Sequence, residues 1–573
     1  MIQYIYPKIC CILRAMNLHL RIPQSLRIRS VSPVVSCVRC YAETSTRRIS
    51  YENENTNQNN SESNSRRRYA AFVTVAASML GLYYYTSHKK VCALTKNPVE
   101  CGEYRADLKT YSMQEVSKHD NKENGIWITF RRGVYNITDF VDKHPGGPSK
   151  IIMAAGGSIE PFWTIFANHN RKEIYELLET MRIGNISEND VISDVSNEHD
   201  PYAREPVRHK ALKVNGQKPF CAEPPPSLLI ESFVTPVELF YVRNHLPVPE
   251  LDSESYALEL ATEESTRKTL KLEDIKKYPK HTITSVVMCG GNRRSEMAAE
   301  KPLKGLTWGV GAVGNAVWTG TKLCDILRDL GINEDDYDHV QFEGYDLDPS
   351  GTPYGASIPI GRAMDPKADV ILAYEMNGQS IPRDHGFPIR VIVPGVVGAR
   401  NVKWLAKIIV SKKESPSQWQ QGDYKVFSPS TDWDNVDFSK APAIQEMPVI
   451  SAICKPEPLE NVKVVNGKIN VKGYAWSGGG RKIVRVDVTN DQGETWHTAN
   501  LDAEDTNAKD GRHWSWTLWS IDLPVQKGWK ETEIWAKAVD ASYNVQPETV
   551  KNIWNLRGFL CNAYHKIKVK LDR

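Results

Sequence analysis

A regular pattern of apolar and polar residues begins at about residue 108 and predicts a small α+β unit that ends near residue 186. Residues 125–130, Gly-Ile-Trp-Ile-Thr-Phe, predict a strand, and residues 134–137 predict a strand that pairs back with it after a turn. Three helices are predicted to follow, over residues 148–155, 160–169 and 171–181. The third helix places four apolar residues on one face, namely Ile174, Leu177, Leu178 and Met181.

Two further stretches complete the predicted architecture. Residues 224–226, Pro-Pro-Pro, mark a domain boundary, and residues 282–288 are mostly β-branched, which predicts a buried strand. Beyond about residue 443, residues 467–476 and 482–489 alternate as strands do, and a turn follows at 491–496. Eight of the 15 tryptophans lie between Trp476 and Trp554 and offer a large apolar surface to this part. The predicted fold class is therefore multidomain α+β, with an all-β sandwich at the end.

The first hundred residues have a different character. Residues 1–42 carry six basic side chains and no carboxylate, which is typical of a mitochondrial transit peptide. A polar stretch at 51–65 and three arginines at 66–68 precede an uncharged run at 69–87. That run is long enough to cross a bilayer. It could be a permanent inner-membrane anchor, a buried core helix, or a sorting signal that inserts transiently and is cleaved to release the protein into the intermembrane space. We favour the third interpretation, because Ala, Ser, Gly and Thr make the run a weak anchor.

Charge is divided unequally along the 573 residues. Of the 72 Lys and Arg, 14 lie in residues 1–100, against 5 of the 69 Asp and Glu, so this part has a net charge of +9 and the remainder −6. A mildly acidic body argues against a nucleic-acid partner and suits a basic protein partner. Eleven cysteines in so long a chain do not suggest a disulfide framework. The single CxxC pair, Cys37 and Cys40, lacks a second ligand pair at zinc-site spacing.

Two histidines of the first folded unit are candidate haem ligands. His144 lies in His-Pro-Gly-Gly, and His169 follows two predicted helices later. A haem iron takes axial ligands from opposite faces of its ring, and imidazole is a standard choice. Either histidine alone could be an ordinary turn residue. Together they resemble cytochrome b5, and the resemblance implies that His144 and His169 bind the iron of haem b.

A polar, acidic stretch at residues 188–206 has no periodicity and predicts a flexible linker. Such a tether would let an electron-carrying module move between two sites, but a plain spacer between domains would have the same composition.

A cysteine where a strand meets a glycine-rich loop is the candidate centre of the second domain. Cys289 is followed by Gly-Gly-Asn-Arg-Arg, and neighbouring guanidinium groups favour a thiolate. Cys289 could be inert, a nucleophile, or a metal ligand. His385, Arg400 and Lys403 lie in glycine-containing loops whose N–H groups and cations could hold an anionic cofactor. No GxGxxG opens a βαβ unit and no Walker A motif occurs, which disfavours a nucleotide.

Five segments together resemble the sulfite oxidase family of molybdenum enzymes. They are Phe-Tyr-Val-Arg-Asn-His, Cys-Gly-Gly-Asn-Arg-Arg-Ser-Glu-Met, Gly-Ala-Ser-Ile-Pro, Arg-Asp-His-Gly-Phe-Pro and Pro-Gly-Val-Val-Gly-Ala-Arg. The resemblance spans residues 225–570 and implies that Cys289 binds molybdenum beside the dithiolene of molybdopterin. The implied cofactor contacts are Tyr241, Val242, Arg243, Asn244, His245, Asp346, His385, Arg390, Asn401, Val402 and Lys403. The implied catalytic pocket adds to Cys289 the residues Arg243, Arg294, Trp308, Tyr424 and Arg557.

The two resemblances imply an enzyme that oxidises sulfite to sulfate in the intermembrane space of mitochondria, as the last step of sulfur amino-acid catabolism. Mo-molybdopterin and haem b are the implied cofactors, cytochrome c or O2 the implied acceptor, and an Ig-like C-terminal domain the implied homodimer interface. The arginines suit this chemistry, since sulfite and sulfate are dianions and guanidinium groups stay charged. We expect Tyr424 to hydrogen-bond an oxyanion and to assist proton movement.

The corresponding domain prediction divides the chain into five parts. They are a leader at 1–100, a cytochrome b5-like domain at 106–187, the linker at 188–206, a molybdopterin domain at 207–440 and an Ig-like dimerisation domain at 441–573.

Two other functions remain open at this point. An assimilatory nitrate reductase shares both modules, but its haem domain follows the molybdenum domains, a flavin domain completes the chain, and Met typically replaces Arg557. A haem-only electron carrier with an inactive molybdenum domain is the second alternative, against which Cys289 and the set of arginines argue. Molybdenum and iron analysis would separate the carrier from the oxidase.

Overall fold

The computed structural model describes residues 101–145, 147–165, 169, 171–190, 200–506 and 508–572. The predicted transit peptide, the apolar run at 69–87 and the Cys37–Cys40 pair therefore lie outside the described residues. Within the described ranges, no helix combines the length and the hydropathy that a bilayer crossing would require. All six described cysteines are free and buried.

The first domain is a small mixed sheet with short helices packed on it. The sheet order is β1-β6-β4-β3-β2, with β5 beside β3. Its elements are β1 (Thr110–Tyr111), α1 (Met113–Val116), β2 (Asp120–Asn121), β3 (Gly125–Phe130), β4 (Gly133–Asn136), α2 (Pro148–Ile152), β5 (Gly157–Ser158), α3 (Glu160–Ile165), α4 (Lys172–Glu179) and β6 (Arg182–Ile186).

The predicted hairpin and helices of this domain are found, with shorter helices. β3 pairs antiparallel with β4, as the alternating pattern indicates. Its inward side chains Ile126, Ile128 and Phe130 are buried in one apolar cluster with Tyr135 of β4. The predicted apolar face of α4 is only partly covered: Leu178 is buried, but Leu177 is 40% exposed. An eight-residue helix against a small sheet buries a narrower stripe than the sequence pattern suggested.

The second domain contains two five-stranded sheets and a small three-stranded one. The orders are β11-β10-β19-β14-β15, then β12-β13-β16-β17 with β18 beside β16, and β7-β8-β9. Its strands are β7 (Lys213–Gly216), β8 (Cys221–Glu223), β9 (Val242–Arg243), β10 (Ala257–Thr262), β11 (Thr266–Lys271), β12 (Lys280–Met288), β13 (Val313–Lys322), β14 (His339–Leu347), β15 (Pro353–Pro359), β16 (Ile371–Met376), β17 (Gln379–Ser380), β18 (Arg390–Ile392) and β19 (Leu405–Ser411). Its helices are α5 (Pro226–Leu229), α6 (Leu272–Lys276), α7 (Arg294–Glu300), α8 (Leu323–Asp329), α9 (Ile360–Met364) and α10 (Gln418–Gln421).

The strand predicted at 282–288 forms the last seven of the nine residues of β12. Val286, Val287 and Met288 at its end are at most 3% exposed, because apolar layers cover both faces of the strand. β12 pairs antiparallel with β13 along its whole length, from Lys280 opposite Thr321 to Met288 opposite Val313. This long ladder fixes where the chain leaves the sheet, which is the position of Cys289.

The C-terminal domain is the predicted β-sandwich. One sheet has the order β20-β22-β26-β25 and the other β21-β28-β27-β23-β24. An apolar core lies between them, to which Trp519 contributes. The strands are β20 (Ile450–Lys455), β21 (Asn461–Lys463), β22 (Lys468–Trp476), β23 (Ile483–Thr489), β24 (His497–Thr498), β25 (Asn500–Ala503), β26 (Thr517–Pro524), β27 (Glu531–Asp540) and β28 (His565–Asp572).

The segment predicted as a flexible linker is described only at its two ends. Residues 188–190 form a single 3-10 turn, and residues 191–199 lie outside the described ranges. Residues 200–206 pack against the second domain: Tyr202 is buried, and Lys218 Nζ donates to Asp200 Oδ2 at 2.5 Å. Both described ends of the predicted linker are therefore structured.

Candidate active site

Cys289 lies where β12 ends and a glycine-rich loop begins. Its backbone N–H donates to the carbonyl of Ala312 at 2.9 Å, which extends the β12–β13 ladder by one bond. Its Sγ accepts a hydrogen bond from Gly291 N at 3.4 Å, and the side chain is 5% exposed. The thiol is thus held in one direction by the sheet behind it and by the loop in front.

The two arginines that follow this loop point to different places. Arg293 has a left-handed backbone, with φ of +63°, and its guanidinium donates to the carbonyls of Ser451 and Ala563 in the C-terminal domain. Arg294 instead faces the loop of Cys289. Sequence adjacency suggested that both flank the thiol, but Arg293 is a buried tie between domains.

Two glycines make room for the Arg294 side chain. A Cβ on Gly291 would lie 2.6 Å from Arg294 Nη2, and a Cβ on Gly558 would lie 2.7 Å from Arg294 Cγ. The Gly558 carbonyl accepts a hydrogen bond from Arg294 Nε at 3.3 Å, and the Leu306 carbonyl accepts one from Nη1 at 3.2 Å. The guanidinium is therefore fixed by backbone carbonyls of two separate segments.

The expected effect of cations on Cys289 is only partly found. Burial raises the pKa of the Cys289 thiol above its usual value, and the charges of Arg243 and Arg294 oppose that rise without cancelling it. In this pocket the protein alone does not produce a free thiolate.

A cavity opens in front of Cys289. Its lining includes ten of the residues that the sequence singled out, namely Tyr241, Arg243, His245, Cys289, Asp346, His385, Arg390, Asn401, Lys403 and Tyr424. Val242 and Val402 instead place their side chains in apolar clusters. Asn244 is buried behind the wall, where its Nδ2 donates to Asp384 Oδ1 at 3.2 Å.

One wall of the cavity is cationic. Lys403 Nζ donates to the Asp384 carbonyl at 2.7 Å and to Asn244 Oδ1. Arg390 donates to the carbonyls of His385 and Asn401, at 2.9 and 3.0 Å. Burial lowers the pKa of Arg390 to about 10 and that of Lys403 below its usual value. Burial also lowers the pKa of His385 to about 4, so its imidazole is neutral at physiological pH.

Buried polar atoms along this wall suit a polar, anionic cofactor. Among the described residues, neither Arg390 Nε nor Asp346 Oδ1 has a hydrogen-bond partner, although each is shielded from solvent. Burial raises the pKa of Asp346, which favours a protonated carboxyl that could donate to a ligand. Unpartnered buried groups are costly unless a ligand satisfies them. The residues present therefore fit a molybdopterin, whose pterin is rich in donors and acceptors and whose phosphate is anionic.

Arg243 is positioned by the small sheet. β9, which contains it, pairs with β8 so that Arg243 lies opposite Cys221. Its Nη1 donates to Cys221 Sγ at 3.6 Å and to the Asn244 carbonyl, and the side chain lines the cavity. A second fixed charge thus faces the position of Cys289.

Tyr424 lines the cavity, and Arg294 and Arg557 lie next to it around the ring of Phe559, outside the residues that line the cavity. Tyr424 stacks on Phe559 with 4.8 Å between ring centroids. The guanidinium carbons of Arg294 and Arg557 lie 4.9 and 5.7 Å from the same ring centroid. Asp423, directly before Tyr424, binds Arg557 through both of its carboxylate oxygens. Two domains therefore contribute to one cationic pocket.

Trp308 lies behind the cavity rather than in its lining. It is fully buried and meets Tyr241 edge-on, with 6.4 Å between ring centroids. Its indole Nε1 is buried without a hydrogen-bond partner in the part of the chain that the structure describes. Trp308 therefore supports Tyr241 by packing, and its indole N–H could donate a hydrogen bond to a ligand inside the protein.

The two histidines of the first domain face each other. Their ring centroids are 6.1 Å apart and the ring planes differ by 9°. A metal ion bound about 2 Å from a nitrogen of each ring places the centroids about 6 Å apart. His144 Nδ1 lies 3.1 Å from the carbonyl of Gly147, which directs its Nε2 towards His169. The gap therefore fits a haem iron with two axial imidazoles.

Several residues of these sites were not singled out in the sequence. Four such residues contact predicted site residues; they are Asp384, Asp423, Phe559 and Tyr354. Only Asp384 and Asp423 had a sequence signal, since each directly precedes a singled-out residue. No sequence pattern distinguishes Phe559 and Tyr354 from other aromatic residues, because the folded chain alone places them beside the site residues.

Three family models match the chain. The oxidoreductase molybdopterin binding domain matches residues 245–419, the Mo-co oxidoreductase dimerisation domain matches residues 441–572, and the cytochrome b5-like heme/steroid binding domain matches residues 112–187.

Two known sulfite oxidases and one solved structure are similar to the chain. It is 59% identical to the mitochondrial sulfite oxidase of Drosophila melanogaster over 82% of this chain and 82% of that protein. It is 53% identical to the mitochondrial sulfite oxidase of Homo sapiens over 80% of this chain and 84% of that protein. The crystal structure of the sulfane dehydrogenase SoxCD from Paracoccus pantotrophus matches 64% of this chain and 87% of its own, with a TM-score of 0.52 and 25% identity.

Proposed function

We propose residue roles from one premise: this chain belongs to the sulfite oxidase family. It oxidises sulfite, with a Mo-molybdopterin domain and a cytochrome b5-like domain for haem b. Sulfite and water give sulfate, two protons and two electrons. When bound, molybdenum supplies oxygen-atom transfer and two-electron oxidation, and haem b carries single electrons.

The proposed cofactor residues are those that line the cavity. Cys289 Sγ would be the protein ligand of molybdenum, because a thiolate suits such a metal and the thiol is held at the end of β12. Arg390, Lys403 and His385 would hold the anionic cofactor, since all three residues line the same cavity. The observation that carries the proposal is that one cavity gathers the thiol, the cations and Tyr424.

The proposed substrate residues hold a dianion and orient it. Arg243, Arg294 and Arg557 supply fixed positive charge, and their backbone and carboxylate partners limit their motion. Such preorganised charge favours binding of sulfite and release of water from it. Tyr424 would donate its hydroxyl proton to an oxygen of the bound anion. Trp308 would support this pocket from behind.

Proposed haem ligation by His144 and His169 completes the path. Electrons would pass from the molybdenum domain to the haem and then to cytochrome c, a basic acceptor that suits the mildly acidic body of the chain. O2 is a second candidate acceptor. The chain forms a homodimer through its C-terminal domain and is a mitochondrial protein. We infer the intermembrane space as its compartment.

The test is sulfite-dependent reduction of cytochrome c, with Cys289→Ser and a matched variant, Cys324→Ser. Cys324 is equally buried but lies on α8, away from the cavity. We expect Cys289→Ser to lose activity while haem absorbance persists, and Cys324→Ser to retain activity.

Full activity of Cys289→Ser would overturn the metal-ligand role. Metal analysis of the wild type separates the alternatives: about one Mo and one Fe per chain supports the oxidase, whereas Fe without Mo supports the haem-only carrier. Nitrite formation from nitrate would instead favour a nitrate reductase.

A further inference from the structure

A hydrogen bond of 2.7 Å joins His245 Nε2 and the hydroxyl of Tyr424. We propose that His245 is a positioning residue for Tyr424, whose hydroxyl proton it directs at the substrate anion by donating its own Nε2–H to the Tyr424 oxygen. This inference rests on the proposed role of Tyr424. It gives His245 a task other than the cofactor contact that the sequence resemblance implied.

The imidazole of His245 is held by aromatic rings. Tyr354 lies beside it, with 4.7 Å between ring centroids and 30° between planes, and Trp419 meets it edge-on at 5.8 Å. Tyr354 is itself fixed, because its hydroxyl donates to the carbonyl of Ala399 at 2.8 Å. The ring of His245 therefore cannot turn away from Tyr424 without displacing this packing.

The surroundings of His245 also keep its imidazole neutral. Burial lowers the pKa of His245 well below its usual value, and the charges of Arg243, Lys403 and Arg557 act in the same direction. A neutral imidazole has one N–H, so the hydrogen bond to Tyr424 has two forms. If the tyrosine donated, its only proton would be used on His245. If His245 donates, that proton remains for another acceptor.

The rest of Tyr424 is already fixed, which leaves only the direction of the hydroxyl proton to be set. The backbone of Tyr424 has φ of +50°, which residues other than glycine rarely adopt. Its N–H donates to Asp423 Oδ1 at 2.8 Å. The ring stacks on Phe559, and the Arg400 guanidinium carbon lies 5.9 Å from its centroid. These contacts hold the backbone and the ring of Tyr424, whereas His245 contacts its hydroxyl group.

The location of the pair favours the form in which Tyr424 donates to an anion. Tyr424 and Arg243 line the cavity together with Cys289, and Arg294 lies against Phe559 on the other side of the tyrosine ring. A dianion held by these guanidinium groups offers oxygen acceptors and no proton. It would therefore select the hydroxyl orientation in which His245 donates to Tyr424 and Tyr424 donates a hydrogen bond to the substrate.

A double-mutant cycle tests the inference, with sulfite oxidation measured by an electron acceptor in the holoenzyme. His245→Phe keeps a ring in the aromatic packing but removes the N–H, and Tyr424→Phe removes the hydroxyl. Each single change is expected to raise KM for sulfite about tenfold with a smaller fall in kcat, as the loss of a charge-assisted hydrogen bond does. The double variant is expected to be no worse than Tyr424→Phe, because His245 acts through that hydroxyl.

Three further measurements separate positioning from a cofactor contact. His245→Gln, whose amide N–H can donate to Tyr424, is expected to recover part of the lost affinity. His245→Leu, which also lacks an N–H, replaces His245→Phe in the cycle if that variant does not fold. Molybdenum content is expected to equal that of the wild type in every variant. In a crystal structure of His245→Phe, the Tyr424 ring is expected to stay stacked on Phe559, since the histidine sets only the hydroxyl.

Additive losses in the double variant, or a loss of molybdenum in His245→Phe, would overturn the inference and return His245 to the cofactor. Unchanged kinetics of His245→Phe would overturn it as well. If Tyr424→Phe alone behaved as wild type, the proposed role of Tyr424 would fail and the inference with it. The role of Cys289 would stand or fall separately, on its own serine variant.

Discussion

The carboxylate of Asp423 accepts two hydrogen bonds from the guanidinium of Arg557, at 2.9 Å from Nε and 2.6 Å from Nη2. Asp423 directly precedes Tyr424, and Arg557 belongs to the loop between the last two strands of the C-terminal domain. The same carboxylate accepts the backbone N–H of Tyr424 at 2.8 Å. One side chain thus sets the position of a cation and of the proposed proton donor.

Asp423→Asn is predicted to weaken sulfite binding. An amide cannot accept both guanidinium hydrogen bonds, so Arg557, whose side chain is 23% exposed, would become mobile and bind a dianion less well. We expect KM for sulfite to rise about tenfold and kcat to change less. Steady-state kinetics with an artificial acceptor measure this without the haem step.

Asp434→Asn is the matched control, because Asp434 is exposed. It should behave as wild type. An unchanged KM in Asp423→Asn would show that Arg557 keeps its place without the carboxylate.

Lys150 on α2 of the haem domain contacts Asp348 in the turn after β14. The Asp348 side chain is only 1% exposed, and its Oδ1 accepts the N–H groups of Ser350 and Thr352, so Oδ2 remains for Lys150. α2 begins four residues after His144, and Asp348 is two residues after Asp346 of the cavity. The ion pair therefore joins the haem ligand loop to the molybdopterin domain near its cofactor site.

Lys150→Glu is predicted to slow the reduction of haem by sulfite, because two carboxylates would then oppose each other at this contact. Stopped-flow absorbance of the haem should show a fall of about tenfold, while turnover with an acceptor that bypasses the haem should be unchanged. Lys172→Glu, on the exposed side of α4, is the control and should leave both rates unchanged. Equal rates of haem reduction in Lys150→Glu and Lys172→Glu would mean that electrons pass between the two domains at another contact.

His144→Ala is predicted to abolish haem binding without abolishing sulfite oxidation. The 6.1 Å between the His144 and His169 rings suits an iron only if both nitrogens are present. We expect loss of the haem absorbance and of cytochrome c reduction, while turnover with an artificial acceptor persists. His119→Ala, in the same domain but stacked on Trp127, should keep its haem. Haem retention in His144→Ala would refute the ligation proposal.

Sequence patterns predicted the residues of both sites whose positions depend on the backbone conformation of neighbouring residues. A tight turn is needed to aim His144, and a strand end is needed to hold Cys289, so each leaves a motif in consecutive residues. The hairpin of the first domain and the final sandwich follow from alternation in the same way.

Contacts between distant segments could not be predicted. Arg293 and Arg294 are adjacent, yet a left-handed backbone at Arg293 sends one guanidinium into the C-terminal domain and leaves the other at the cavity. Nothing in the local pattern distinguishes them. The partner of His245 lies 179 positions away at Tyr424, and a contact of that kind appears only when the chain is folded.

Asp369 joins the second domain to the C-terminal domain, and its charge is predicted to stabilise that interface. Its carboxylate accepts hydrogen bonds from His281 Nε2 and Trp514 Nε1, each at 3.0 Å, with Lys322 and Arg512 nearby. Burial raises the pKa of Asp369, but these hydrogen bonds and charges outweigh it and lower the pKa from 3.8 to about 2.

A carboxyl group whose pKa is lower in the folded chain stabilises the fold above its unfolded pKa, and that contribution is lost as the pH falls through the folded value. For Asp369 the contribution is about 2 kcal/mol at pH 7. Asp369→Asn should therefore lower the melting temperature at pH 7, and the gap to wild type should narrow from about pH 4 downwards. Asp502→Asn, at an exposed position on β25, should leave the melting temperature unchanged. A gap for Asp369→Asn that stayed constant between pH 7 and pH 3 would show that hydrogen bonding, which an amide partly retains, and not charge holds the two domains together.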